Sequence, residues 1–171
     1  MYNWQLMDDT VTLRDRLKMA KFVLTSSRLT QGPQVRKFEE QWSNWLGVKH
    51  SLFVSSGSTA NSLLVSAWKD LNDIPDGAKV IVPACTWVTN ISPIIQNNLT
   101  PVFCDINLKD FSFDLGSLKT IASENSDISA IFVTHLLGFP AQVEDFHDIF
   151  PRAAILEDVC ESHGAILAQN Y

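Results

Sequence analysis

The chain has 171 residues, 46% hydrophobic and 19% charged, a size and composition that predict one substantial core in a soluble globular protein. A net charge of −6 without any basic block argues against a nucleic-acid partner, and three widely spaced cysteines argue against disulfides and a bound metal. No stretch approaches the roughly 20 apolar residues that span a bilayer, so we expect a cytoplasmic protein without membrane contact.

Helical and extended segments alternate along the chain at short intervals. In chain order the patterns predict helix 11–25, helix 34–46, strand 51–55, helix 59–71, strand 79–82, helix 88–97, strand 101–105, helix 115–122, strand 128–135, helix 143–149 and strand 153–157. This alternation favours an α/β fold of three layers, in which helices flank a mainly parallel sheet. No repeat or interdomain linker interrupts the pattern.

A run of small and hydroxyl residues, Ser55 to Asn61, follows the first predicted strand and opens a predicted helix. The first turn of a helix has backbone N–H groups without intrahelical acceptors, and its dipole favours a phosphate. Ser and Thr are also the preferred helix caps, so Ser56-Gly57-Ser58-Thr59 fits either a phosphate site or a simple N-cap.

Two further side chains follow predicted strands and reach the edge of the sheet at which ligands bind in open α/β folds. Asp158 follows the apolar strand Ala153-Ala154-Ile155-Leu156, and Trp87 lies in the loop after strand 79–82. Either could have an ordinary role, because a Trp is more often part of a core and an Asp is a common turn or cap residue.

Three other polar residues lie near the same edge. His135 ends strand 128–135, and a hydrogen-bonded structural role is favoured over a catalytic one. Glu161 and His163 follow Asp158 closely, and they either contribute to a site or belong to a turn.

The order of these signals resembles the DegT/DnrJ/StrS sugar aminotransferases, pyridoxal-phosphate enzymes of fold type I. The resemblance runs from about Arg28 to the end of the chain. Its landmarks are Arg28-Leu29-Thr30-Gln31-Gly32-Pro33, Phe38-Glu39, Leu46-Gly47-Val48, Ser56-Gly57-Ser58-Thr59-Ala60, Pro83-Ala84-Cys85-Thr86-Trp87, Pro101-Val102-Phe103-Cys104-Asp105, His135-Leu136-Leu137-Gly138, and Glu157-Asp158 through His163-Gly164-Ala165.

The resemblance implies a site for pyridoxal 5′-phosphate (PLP) or pyridoxamine 5′-phosphate (PMP). Ser58 and Thr59 would hold the phosphate, Trp87 would stack on the pyridine ring, Asp158 would pair with the ring nitrogen, and Glu161 would add a contact. A carboxylate in that place keeps the pyridine protonated, which makes the ring an electron sink. The implied partners are a nucleotide-linked keto sugar, an amino donor and a second copy of the chain.

Two departures from the family pattern bear on the reaction. No lysine matches the family's Schiff-base lysine, so residues 1–171 are expected to be an inactive part of the large domain, without its C-terminal part or the small domain. Glu161 stands where the aminotransferases usually have Gln, and Glu157-Asp158-Val159-Cys160-Glu161 resembles the sugar 3-dehydrase branch, in which His replaces that lysine. We therefore expect a transaminase, with the dehydrase as the alternative and a non-catalytic domain that binds a phosphorylated ligand or a partner as a third possibility.

Overall fold

The structure, a computed structural model, describes residues 10–141 and 143–165. The chain divides into two compact units, with the boundary between Phe53 and Val54. No helix in the described ranges is both long and apolar enough to cross a bilayer.

The first unit contains two helices, α1 (Leu13–Thr25) and α2 (Pro33–Leu46). A capping box between Thr12 and Asp15 begins α1, and Pro33 begins α2. Gly47 ends α2 with a φ of 74°, a left-handed conformation that glycine adopts without steric cost. Both helices were predicted from the sequence.

The prediction of a strand over 51–55 is wrong, because none of these residues is in a strand. An extended segment becomes a strand only when a neighbouring strand takes up its backbone hydrogen bonds. Here the N–H of Phe53 donates instead to Oε1 of Glu39, at 2.9 Å. The apolar pattern predicted the extended backbone but not the missing partner.

The second unit is a parallel sheet with helices, and its elements lie within a few residues of the predicted ones. They are α3 (Gly57–Leu71), β1 (Lys79–Pro83), α4 (Val88–Gln96), β2 (Thr100–Cys104), α5 (Leu115–Glu124), β3 (Ile128–Thr134), α6 (Glu144–Ile149) and β4 (Ala154–Asp158). The strand order is β2-β1-β3-β4, and every neighbouring pair is parallel.

The sheet of the second unit has a hydrophobic core on each face, because successive side chains of a strand point to opposite faces. The face covered by α3 and α4 includes Val80, Val82, Ala130, Phe132 and Leu156. The face covered by α5 and α6 includes Ile81, Ile131, Val133 and Ile155. The predicted three-layer α/β fold with a parallel sheet is therefore confirmed.

Candidate cofactor site

Asp158 ends β4 and faces the α3/α4 side of the sheet. Ala154 and Leu156 pack into the core on that side, and the two-residue period of a strand places Asp158 next in the same row. The side chain is 6% exposed. The sequence therefore delivers a carboxylate to a buried position between the sheet and two helices.

Three donors hold the carboxylate of Asp158. Nδ2 of Asn61, from α3, and Nδ2 of Asn90, from α4, each donate to Oδ2 at 2.8 Å. The backbone N–H of Cys160 donates to Oδ1 at 3.0 Å. All three are uncharged groups, so they stabilise the anion without neutralising it.

The charge state of Asp158 follows from a balance of burial and hydrogen bonding. Burial raises the pKa of the carboxyl, but the hydrogen bonds from Asn61, Cys160 and Asn90 together lower it by more than burial raises it. The net pKa is therefore below its ordinary value. Asp158 is therefore ionised at neutral pH, and this edge of the sheet contains a buried anion.

The start of α3 presents hydroxyl groups and first-turn N–H groups. Ser56 is the N-cap, and its Oγ accepts from the N–H of Thr59 at 3.2 Å. Oγ1 of Thr59 lies 3.0 Å from Oγ of Ser56 and 3.2 Å from Oγ of Ser55. Ser58 lies in the same exposed first turn, at which an anion is favoured.

The start of α3 lies against the segment that follows Asp158. A Cβ atom at Gly57 would be 3.1 Å from Sγ of Cys160, so a larger residue there would have to displace the thiol. The neighbouring carboxylate of Asp158 is the largest influence on Cys160 and, with burial, raises the pKa of its thiol to about 11. The two regions predicted as parts of one site are thus adjacent, and the thiol between them is protonated.

Trp87 begins α4 as its N-cap and is 55% exposed, so it is not the core residue that its type favours. The preceding residue fixes the loop after β1: Oγ1 of Thr86 lies 2.8 Å from Oγ1 of Thr134 at the end of β3, and it donates to Oδ1 of Asn90 at 3.1 Å. The loop therefore holds an accessible indole at the carboxyl edge of the sheet.

His135 has the structural role that the sequence favoured. Its Nδ1 accepts from the backbone N–H of Ala141 at 2.9 Å, and its Nε2 lies 3.1 Å from Oε1 of Glu157. The Ala141 contact requires an unprotonated Nδ1, so the proton of the neutral ring is on Nε2 and points to Glu157. This pair lies in the row of side chains that faces α5 and α6, opposite Asp158.

Glu161 supports the turn that follows β3. Its Oε2 accepts from the backbone N–H of Leu137 at 2.6 Å, and Leu137 has a φ of 56°. A Cβ at Gly138, which has a φ of 86°, would lie 3.2 Å from the carbonyl oxygen of Glu161. The close approach and the positive φ both favour glycine at this position.

Sequence analysis assigned no role to the side chains of Asn61, at the end of the run 55–61, and Asn90. The available signal was a polar residue in an otherwise apolar helical row: Asn61 precedes the buried Val65 by four positions, and Asn90 precedes the buried Ile94 by four. A buried polar side chain in such a row needs a hydrogen-bond partner, and both asparagines donate to Oδ2 of Asp158.

A buried anion, the start of a helix and an exposed indole thus meet at one edge of a parallel sheet, and comparison with known proteins agrees with this arrangement. Residues 12–171 match the sequence profile of the DegT/DnrJ/EryC1/StrS aminotransferase family. The chain belongs to this family. Both the fold and the family expected from the sequence landmarks are confirmed.

Two relatives of this chain are named for nucleotide-sugar substrates or products. The chain is 35% identical to the GDP-4-keto-6-deoxy-D-mannose 3-dehydratase of Yersinia pseudotuberculosis, with 98% of the chain and 43% of the relative covered. It is 32% identical to the dTDP-3-amino-3,6-dideoxy-alpha-D-galactopyranose transaminase of Aneurinibacillus thermoaerophilus, with 84% and 39% covered. The chain therefore spans less than half the length of these DegT/DnrJ/EryC1/StrS relatives.

The fold of this family member also matches solved structures. A crystal structure of GDP-4-keto-6-deoxymannose-3-dehydratase with a trapped PLP-glutamate geminal diamine has a TM-score of 0.86 and 32% identity, with 99% of this chain and 44% of that chain covered. The cofactor expected from the sequence is thus the one present in a solved relative.

Proposed function

We propose that this chain forms the N-terminal part of the cofactor-binding large domain of an enzyme that uses PLP or PMP to act on a nucleotide-linked keto sugar. The observation that carries the proposal is the buried, ionised Asp158 at the carboxyl edge of the sheet, beside the start of α3. Family membership over residues 12–171 supports it. We expect two copies of the full-length protein to form a homodimer, which analytical ultracentrifugation would test.

The groups present suit PLP chemically. An anion with three uncharged donors can accept the N–H of a protonated pyridine, and the hydroxyl and N–H groups of Ser58 and Thr59 suit a phosphate dianion. The exposed face of Trp87 suits a flat aromatic ring and would exclude water from one side of it. When bound, the cofactor would supply an electron sink, which takes up the electron pair left at the reacting carbon when a proton is removed.

Glu161 remains in the proposed site as a residue at its edge. Its bond to Leu137 holds the carboxylate at the turn after β3. We propose that Glu161 contacts the cofactor or the sugar from this position.

Of the two reactions open to the family, we favour removal of the sugar 3-hydroxyl. A 3-dehydratase relative matches 98% of the chain at 35% identity, and a solved 3-dehydratase structure matches with a TM-score of 0.86. In addition, Glu161 stands where the transaminases usually have Gln. Transamination, the reaction first expected from the sequence, is the second candidate, and the transaminase relative at 32% identity supports it.

The two reactions differ in a covalent bond that borohydride reveals. We would load the full-length protein with PLP, reduce it with borohydride and examine its peptides by mass spectrometry. A stable lysine adduct would exclude the dehydratase, whereas cofactor that dissociates after reduction would support it.

A product assay with GDP-4-keto-6-deoxymannose and glutamate would separate the reactions a second way. Loss of the 3-oxygen supports dehydration, and gain of an amino group supports transamination. If the full-length protein neither binds PMP nor changes the sugar, the proposal fails and the non-catalytic alternative gains support.

A further inference from the structure

The inference concerns Asn61 and Asn90, which we call the amide pair, and it rests on the proposed function. The two residues come from different helices and both donate to Oδ2 of Asp158, at 2.8 Å. They are themselves buried, with exposures of 5% and 0%. Because both amides donate to Oδ2, the other carboxylate oxygen, Oδ1, has a different environment.

The surrounding backbone fixes the orientation of the Asn61 amide. Pro93 has no N–H, so the carbonyl of Thr89, four residues earlier in α4, lacks its usual helical donor. Nδ2 of Asn61 donates to this carbonyl at 3.3 Å as well as to Asp158. Two acceptors around one nitrogen identify it as the NH2 group.

A hydroxyl fixes the orientation of the Asn90 amide. Oγ1 of Thr86 donates to Oδ1 of Asn90 at 3.1 Å, which leaves Nδ2 of Asn90 to face Asp158. The loop after β1, which bears Trp87, is thereby linked through Thr86 and Asn90 to the carboxylate.

We propose that Asn61 and Asn90 are positioning residues, which fix Oδ2 of Asp158 and direct Oδ1 toward the ring nitrogen of the cofactor. A carboxylate oxygen accepts two hydrogen bonds, and the amide pair occupies both positions on Oδ2. Oδ1 accepts the backbone N–H of Cys160 and has a second position to offer. The thiol of Cys160 also hydrogen-bonds the carboxylate, but it is a weak donor that a charged N–H would displace.

The use of amides rather than a cation has a chemical consequence. A Lys or Arg partner would neutralise Asp158 and compete with a protonated ring for it, whereas amides stabilise the anion and leave its full charge available. The two helices bring no competing charge to Asp158. Helix α4 contains no charged residue, and the charged residues of α3, Lys69 and Asp70, lie in its last turn, away from Asn61. From the segment after β4, the titratable neighbour is Cys160, and the ring of His135 bonds Glu157 on the opposite face.

The test is the affinity of the full-length protein for PMP as a function of pH, measured by the quenching of tryptophan fluorescence. Binding needs ionised Asp158, whose pKa is low in the wild type and rises when a donor is removed but burial remains. In Asn61→Ala and Asn90→Ala, the loss of affinity on acidification should move up by about one to two pH units. Below the raised pKa, the ratio of variant to wild-type Kd should grow about tenfold per pH unit.

Asn97→Ala is the matched control. Asn97 is also a partly buried amide of the α4 region, but it bonds Ser66 and the carbonyl of Pro93. Its removal should lower the melting temperature without moving the pH profile. A shift as large as those of the amide-pair variants would overturn the proposal, because loosened packing alone would then explain the effect.

The possible failures are distinguishable. If wild-type protein does not bind PMP, the proposed function fails; if it binds and the amide-pair variants keep the wild-type pH profile, only the positioning role fails. Asn61→Ser and Asn90→Ser, which leave smaller voids, replace alanine variants that do not fold.

Discussion

Glu157 and Asp158 are adjacent carboxylates at the end of β4, and the structure gives them opposite environments. Asp158 is 6% exposed under α3 and α4, whereas the Glu157 side chain is 46% exposed on the other face and bonds His135. A single residue step in a strand reverses the direction of the side chain, so neighbours with the same chemistry meet different partners. The row of side chains on the sheet, rather than the residue type, therefore separates the proposed cofactor site from a structural pair.

The two carboxylates also owe their low pKa values to different causes. The hydrogen bond from His135 holds the pKa of Glu157 below its ordinary value. Burial raises the pKa of Asp158, but fixed donors, chiefly Asn61, lower it by more than burial raises it. Because amide and backbone donors do not titrate, the charge of Asp158 is constant across neutral pH.

The largest expected difference between the two positions is in turnover. Asp158→Asn in the full-length enzyme should lower turnover by about a thousandfold, or about 4 kcal/mol, because the ring nitrogen loses the charge that keeps it protonated. Glu157→Gln should change turnover less than about threefold. Steady-state assays of both variants, with circular dichroism as a check on folding, make the comparison; equal losses at both positions would contradict it.

The next effect is on stability, at His135. His135→Leu should lower the free energy of unfolding by about 2 kcal/mol, because the buried N–H of Ala141 loses its acceptor. His135→Asn should retain most of that stability, since its Oδ1 occupies nearly the place of the ring Nδ1. Urea unfolding measures both.

Affinity for PMP provides the control for His135, because its ring lies on the opposite face of the sheet from Asp158. We expect no change in the Kd of either variant. A selective loss of affinity in His135→Leu would assign this residue to the cofactor site.

A smaller effect is expected at Trp87. Trp87→Ala should weaken PMP binding by about tenfold, the upper range of a ring-stacking contribution, and Trp87→Phe should recover most of it. Because the side chain is 55% exposed, the melting temperature should not change. Calorimetric titration, which does not depend on the indole, gives the Kd values, and wild-type affinity in Trp87→Ala would remove the indole from the proposed site.

The smallest effect is the pH dependence contributed by Glu157. Its pKa is lowered on folding from an ordinary value of 4.5, so its stabilising contribution is complete above that value and is lost as the pH falls through the lower folded-state pKa. Because the Glu157 side chain is 46% exposed and solvent screens its charge, we expect less than about 1 kcal/mol. The difference in unfolding free energy between wild type and Glu157→Gln should therefore decline on acidification, and a difference that grows on acidification would contradict the assignment.

The sequence alone determined the order of helices and strands and the edge at which Asp158, Trp87 and Ser58 lie. These features depend on local patterns: apolar runs give buried strands, cap residues mark where α3 begins, and parallel strands all end at one edge. The same local patterns made residues 51–55 resemble a strand, although a strand also requires a neighbour that no local pattern reveals.

Only the tertiary structure decided what surrounds each of these side chains. Asn61 and Asn90 lie 97 and 68 residues before Asp158, and nothing in either helix identifies which buried acceptor it will meet. The sequence shows that Pro93 lacks an N–H and so leaves the carbonyl of Thr89 without its helical donor. It does not show that Asn61 donates to that carbonyl. Hydrogen bonds of this kind depend on where α3 and α4 cross β4. The packing of the whole core sets that crossing, because a close-packed interior leaves each element little freedom to shift alone.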